Sequence, residues 1–288
     1  MRRLLFVVAL ALAAPAAGAQ RSLPAAISTD PPRDTVHPAR MEVLHIPSGG
    51  VQINGVAYIP PGAGVHPTLV LLHGFPGNEK NLDLAQAVRR AGWNVITFNY
   101  RGTWGSPGTF RFRQNIEDAD AVLAYLRDPA NARKLGVDTT RLAIGGHSMG
   151  GWVTALTASH DHRLRGAILI SAADMATVGR MQHAQLVTLA TENMETLAGV
   201  TPESVANDLA AQGDSLTFAA AAPGLAHTPL LVLTSDDGLA PGADRLVAAV
   251  RKLGNTHVTT EHVATDHSWS DRRIALETAV LRWLDTIR

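Results

Sequence analysis

Five continuous apolar runs constrain this chain more than any other feature: TLVLL from Thr68, NVITF from Asn94, RLAIGG from Arg141, GAILIS from Gly166 and PLLVLT from Pro229. None shows the polar alternation of a half-wet strand, so each predicts a strand covered on both faces, as in a parallel sheet. Helical periodicity falls between most of them. Leu84, Ala87, Val88 and Ala91 share one face, and Ile116, Ala119, Leu123 and Leu126 another. Leu246, Val250 and Leu253 mark a third, and Leu276, Val280, Trp283 and Ile287 a fourth. Strands alternating with helices imply right-handed crossovers and a mostly parallel, doubly wound α/β sheet. Upstream, MEVLHI from Met41 and VQINGVAYI from Val51 alternate and are separated by PSGG, which predicts an antiparallel hairpin with one wet face.

The alternation breaks from about residue 174 to 227, where helical signals occur without a strand. Thr201 followed by Pro202 reads as a helix start there. An insertion between two core strands predicts a helical cap over the strand ends, within one domain spanning 41–288. The chain is 288 residues long and 46% hydrophobic, enough for a large core.

Residues 1–19 carry Arg2 and Arg3, then a short apolar run from Leu4 to Ala14, then small residues ending at Ala19. That is the pattern of a cleaved signal peptide, and the run is shorter than the roughly 20 residues a membrane-spanning helix needs. The expectation is export to a bacterial periplasm or beyond, with no stable membrane anchor after cleavage. Residues 20–40 are proline-rich and aperiodic and read as a linker. Lys+Arg and Asp+Glu both number 25; without Arg2 and Arg3 the balance is 23 − 25 = −2. A basic field suited to nucleic acid is therefore not expected. The chain has no cysteine, which excludes disulfides, a thiol nucleophile and thiolate metal ligands.

Within GGHSMGG, Ser148 stands at the end of the RLAIGG run and the start of an apparent helix. A nucleophile held at such a corner needs an unfavourable backbone conformation and small residues two positions either side, which Gly146 and Gly150 supply. The following helix turns its free N–H groups toward developing negative charge. A serine also needs a base and an acid to orient that base.

With Gly146-His147-Ser148-Met149-Gly150 in this setting, the chain resembles the α/β-hydrolases. The resemblance covers roughly Met41 to Arg288 and implies the α/β-hydrolase fold. It also implies that the loop His73–Gly77 supplies an oxyanion donor, so the donors would be the amides of Phe75 and Met149. His267, in ATDHSWSDRR, occupies the family position for the base; His262 is its rival among 12 histidines. An aspartate four residues before a proline is common in the family's acid loop. Asp237 and Pro241 match that spacing, so Asp237 is favoured over adjacent Asp236. The loop FNYRGTWGSPGTF resembles one that borders the family's active-site mouth, and Ser106 within it lacks the strand–turn–helix setting.

The resemblance implies a serine hydrolase with an acyl-enzyme intermediate. An esterase acting on a small-molecule ester is the first reading. A peptidase similar to serine aminopeptidases or prolyl oligopeptidase catalytic domains, acting on short peptides, is the second. A catalytically inert binding protein on the same scaffold is the third. Serine chemistry needs no cofactor and no metal. The cap departs from any subfamily pattern, and its Met175, Met181 and Met194 are candidates for packing or for an acyl pocket.

Overall fold

The computed structural model describes residues 22–288; the expected signal peptide lies outside them. Part of the expected linker is not free. Ala25–Ser28 form a short helix, α1, and Arg90 Nε donates to the Ala26 carbonyl at 2.5 Å while its Nη2 donates to Ile27 at 3.3 Å.

Strands β1 (Arg40–Ser48) and β2 (Val51–Ile59) form the antiparallel hairpin. Ser48 pairs with Val51, so the turn is only Gly49-Gly50, and Pro47 and Ser48 extend the strand beyond the expected boundary. Both glycines have positive φ, 54° and 83°, which an L side chain resists. Leu44, Ile46 and Ile53 point into the core while their neighbours alternate outward.

The remainder alternates as the apolar runs predict. It comprises β3 (His66–Leu72), α2 (Leu82–Arg90), β4 (Asn94–Phe98), α3 (Gln114–Arg127), α4 (Pro129–Leu135), β5 (Val137–His147), α5 (Met149–His160) and β6 (Gly166–Ile170). After the cap come β7 (Leu230–Thr234), α10 (Ala240–Lys252), β8 (Val258–His262) and α11 (Arg273–Thr286). The sheet runs β1-β2-β4-β3-β5-β6-β7-β8, parallel from β4 to β8, with β2 antiparallel on β4. Every residue of β6 and β7 is buried, because helices cover both faces. One face packs Ile144, Leu169 and Val232 against Leu123, Val153 and Leu246; the other packs Leu71, Ile168 and Leu231 against Val88, Val280 and Trp283. Leu253 departs from its expected face: it caps the end of α10 and is exposed.

Helix α4 has no counterpart in the periodicity analysis. Its punctuation was present: the Asp128 side chain accepts from the amides of Ala130 and Asn131, Pro129 opens the first turn, and Gly136 closes it at φ 64°.

The insertion between β6 and β7 carries α6 (Met175–Val178), α7 (His183–Thr191), α8 (Pro202–Ala210) and α9 (Phe218–Ala221) and no strand of the sheet, although Leu197 in the loop after α7 forms an isolated antiparallel bridge with Thr103. Thr201 caps α8, accepting from the Ser204 amide, as the Thr-Pro pair predicts. The cap is fastened to the loop after β4. Trp104 N donates to Thr196 O at 3.0 Å, Phe110 N to Ala198 O at 3.1 Å, and Phe112 N to an Asp208 carboxylate oxygen at 2.8 Å. That loop is itself anchored by Arg101, whose Nε bonds the buried Asp118 at 2.6 Å; the Ser48 hydroxyl and the Arg101 amide donate to the same carboxylate. Ser106 is part of this latch, donating to Asn99 O and accepting from Asn54 N.

Candidate active site

The candidate groups gather at the C-terminal ends of the central strands, where ligands bind in open α/β sheets. Ser148 lies between β5 and α5 with φ 56° and ψ −121°, a conformation that costs of order 1–3 kcal/mol for a residue with a side chain. Its neighbours hold it there. Ser148 N donates to Ile170 O at 2.9 Å, and Ser148 O accepts from Gly151 N at 2.9 Å and Ala173 N at 3.1 Å.

The surrounding glycines are required by close approach. A Cβ on Gly146 would lie 2.2 Å from Gly150 O, and one on Gly150 would lie 2.5 Å from Leu72 O. Gly151, to which sequence reasoning gave no role, is equally constrained, since its Cβ would lie 2.4 Å from that of Ala172. A Cβ on Gly74 would lie 2.9 Å from the Cβ of Ser148, so the loop after β3 presses directly on the serine.

In that loop the Phe75 ring packs on Phe110 and Phe112, with centroids 5.6 and 5.2 Å away. Pro76 O accepts from Trp104 Nε1 at 2.8 Å and from the Thr196 hydroxyl at 3.3 Å, tying the loop to the cap. Among the described residues, the amides of Phe75 and Met149 donate to no protein acceptor. His73 is buried beside them; its Nδ1 lies 2.8 Å from Gly74 O, and burial pushes its pKa down to about 4.

His267 follows β8 and Asp237 follows β7. His267 Nδ1 lies 2.8 Å from Asp237 Oδ2. The carboxylate also accepts from the Ser235 hydroxyl at 3.0 Å and from Leu239 N at 2.9 Å. Burial by itself would raise its pKa, but the bonds from His267, the Leu239 amide and Ser235 outweigh that and hold it at about 2. Asp236 turns the other way: its carboxylate pairs with His262 Nε2 at 3.0 Å, and His262 Nδ1 meets the Thr234 hydroxyl at 2.9 Å. The two adjacent aspartates thus serve different histidines.

Ser148 and His267 line one cleft of about 180 Å³ with Phe75, Asn78, Glu79 and His147. Ser148 Oγ and the His267 ring are not hydrogen-bonded to one another. None of the three cap methionines lines this cleft; Met175 is buried, Met194 packs on the core and Met181 is exposed. Larger cavities of about 570 and 590 Å³ border β8 and α11 and contain none of the candidate residues.

Sequence reasoning missed two sets of contacts. His147 Nε2 donates to the main-chain carbonyl of His267 at 2.7 Å, and the two rings lie 4.6 Å apart. Burial, and then the charge of His267, push His147 down to about 4, so it is neutral at pH 7. Ser171, Ser235 and Trp269 form a buried hydrogen-bonded chain ending on Asp237. A usable signal existed for the serines, since Ser171 directly follows the run GAILI and Ser235 directly follows PLLVLT.

Comparison with known proteins places these observations. Residues 67–219, just over half of the chain, match the family model described as alpha/beta hydrolase fold. Cutinase 2 of Thermobifida cellulosilytica is 31% identical over 116 residues, covering 40% of this chain and 42% of that protein. An uncharacterized 31.7 kDa protein of Escherichia coli is 27% identical over 135 residues, covering 44% and 46%. The chain thus spans less than half the length of these curated relatives. Among solved structures, EstE1, a carboxylesterase cloned from a metagenomic library, superposes with a TM-score of 0.60 at 21% identity, over 88% of this chain and 91% of that one. The acylaminoacyl peptidase of Pyrococcus horikoshii gives 0.62 at 18% identity, over 86% and 41%. At such identities the structural likeness is one of fold alone. By the family match, and with the sheet order and the strained serine corner in agreement, the chain belongs to the alpha/beta hydrolase fold family.

Proposed function

We propose that this chain is an exported serine hydrolase that cleaves carboxylic esters through an acyl-enzyme, with Ser148 as nucleophile, His267 as base and Asp237 as acid. The observation that carries the reading is the strained Ser148 sharing one cleft with a histidine whose Nδ1 is bonded to a buried carboxylate. Asp237 holds the proton on Nδ1, which leaves the Nε2 lone pair to accept one. Ser148 Oγ attacks the ester carbonyl carbon while Nε2 takes its proton. The amides of Phe75 and Met149 receive the oxyanion. The bond to the alkoxy oxygen then breaks, and His267 returns the proton to the departing alcohol. Water repeats the cycle on the acyl-enzyme and releases the acid. The Ser148–His267 hydrogen bond forms as substrate closes the gap, since such bonds are commonly long in unliganded sites. No cofactor enters these steps.

The small cleft supports a small-molecule ester. A peptidase reading draws on the acidic side chains near it: Glu79 lines the cleft, and Glu195 of the cap accepts from Asn78 at 3.0 Å. Arg273, 3.9 Å from Glu79, offsets that charge, which favours the ester over a substrate gripped by its ammonium. An inert scaffold has no use for the backbone strain retained at Ser148. The export component rests on residues 1–19 and predicts a periplasmic or secreted protein.

The test is a fluorophosphonate probe followed by p-nitrophenyl esters and aminoacyl anilides on purified protein. The expected result is labelling of wild type but not of Ser148→Ala, with turnover of short esters. Failure to label, or anilide turnover exceeding ester turnover, overturns the ester reading.

A further inference from the structure

The carboxylate of Asp237 is the end of a line of donors, and counting protons fixes its direction. Ser235 lies 3.0 Å from Asp237 Oδ2 and spends its single hydroxyl proton there, because an ionised carboxylate has none to give. The 2.7 Å bond between the Ser171 and Ser235 hydroxyls must then run from Ser171 to Ser235. Ser171, its proton spent, accepts at 3.0 Å from Trp269 Nε1–H, a group that only donates. Trp269, Ser171 and Ser235 are each 1% exposed, so no water competes for these bonds. The same Oδ2 faces His267 Nδ1 at 2.8 Å, while Oδ1 accepts from Leu239 N at 2.9 Å.

The backbone is bent to make this line. Ser171 has φ 42° and Trp269 φ 59°; with Ser148 they are three of the five non-glycine residues at positive φ among the described residues. Strain of this kind persists only where the surrounding structure enforces it.

We propose that Ser235, Ser171 and Trp269 are positioning residues whose hydrogen bonds, all pointing one way, lock the Asp237 carboxylate in the orientation that holds His267. They touch neither substrate nor the reacting atoms. The proposal rests on the reading of Asp237 and His267 as acid and base. It adds a third layer behind them, contributed by the ends of β6 and β7 and by the turn carrying Trp269.

Ser235→Ala removes one hydrogen bond to a charged group, for which a roughly tenfold or greater loss in kcat is expected with KM within about twofold. The downfield proton resonance of His267 Nδ1–H, read without substrate, broadens or disappears, and Ser235→Thr restores both. Trp269→Phe removes the N–H that begins the line, together with part of a buried ring, and gives a smaller loss in kcat, about threefold. Ser171→Ala combined with Ser235→Ala is no worse than Ser235→Ala, because one line is already cut. If Ser235→Ala melts without cooperativity, Ser235→Cys, with its weaker donor, takes its place with the same expected outcomes. Wild-type kcat and an unchanged resonance in a folded variant overturn the proposal while Asp237→Asn remains inactive. Wild-type turnover by Asp237→Asn and Ser148→Ala locates the failure in the underlying reading instead.

Discussion

His147 donates its Nε2–H to the main-chain carbonyl of His267 at 2.7 Å, so the residue before the candidate nucleophile holds the backbone of the candidate base. The side chain at position 147 thereby links the end of β5 to the loop after β8, and its ring lies 4.6 Å from the ring of His267. His147→Phe keeps a flat ring there and removes the bond. One neutral hydrogen bond is worth about 1 kcal/mol, so kcat on a short ester should fall about fivefold with KM nearly constant. Steady-state kinetics settle it: unchanged kcat removes any positioning role from His147.

The same burial makes the fold acid-sensitive. His73 and His147 are held at about 4, against an ordinary value of 6.5. Above pH 6.5 both the folded and unfolded states carry them neutral, and they add no pH dependence. As pH falls from 6.5 toward 4 the unfolded chain takes up protons that the folded chain refuses, and stability drops by on the order of 3 kcal/mol for each histidine. Asp237, held at about 2, contributes stability above 3.8 that is lost only as pH falls through 2, outside this window. Urea unfolding at about pH 7 and about pH 4.5 should show the loss, and His147→Phe should show less of it. Equal stability at the two pH values would contradict the burial argument.

The paired aspartates separate cleanly by substitution. Asp237→Asn removes the charge that fixes the His267 tautomer, and kcat should fall by about 10⁴. Asp236→Asn weakens an exposed pair with His262 worth at most about 1 kcal/mol, and turnover should stay within about twofold of wild type. Comparable losses in both variants would refute the division of labour.

Two glycines should fail in different ways. Gly146→Ala drives a methyl into the Gly150 carbonyl, backbone that cannot yield, and is expected to destabilise by more than about 3 kcal/mol. Gly74→Ala meets the Cβ of Ser148 at 2.9 Å and the His147 carbonyl oxygen at 3.2 Å, a milder overlap than at Gly146 that still forces the loop and the serine apart. It should cost only about 1–2 kcal/mol of stability while misplacing the nucleophile by enough to lower kcat by about a hundredfold. Thermal melts beside initial rates distinguish the two; a Gly74→Ala enzyme with full activity would count against the serine's assigned place.

Removing Asp118 tests the anchor beneath the cap. Its carboxylate is fully buried and bonded to Arg101 at 2.6 Å. Asp118→Ala leaves Arg101 with the exposed Glu117 as its remaining carboxylate and the Gln114 carbonyl as its other acceptor, and breaking such a buried pair costs about 3–5 kcal/mol. Denaturant unfolding measures this directly, and a loss under 1 kcal/mol would show the network to be dispensable.

Much of the fold was legible because its signals are local. β4 and β6 lie within the apolar runs that predicted them, since a strand covered on both faces needs no polar residue. The serine corner was legible for a similar reason: close backbone approach excludes side chains, and the exclusion is written as glycines at fixed spacing. α4 escaped notice because a two-turn helix carries little periodicity, although Asp128, Pro129 and Gly136 bracket it. The docking of α1 depends on Arg90, more than sixty residues downstream, which no local pattern reveals.

By itself, the sequence determined the alternation of buried strands with most of the helices and the place of the sharp turn at Ser148, because each depends on near neighbours along the chain. Only the tertiary structure decided which aspartate faces His267, that His147 supports its carbonyl, and that Ser171, Ser235 and Trp269 share one line of protons. Side-chain direction at a strand end follows from the path the backbone takes over neighbouring strands. Ser171 and Ser235, 64 residues apart in the chain, meet because β6 and β7 lie side by side in the sheet.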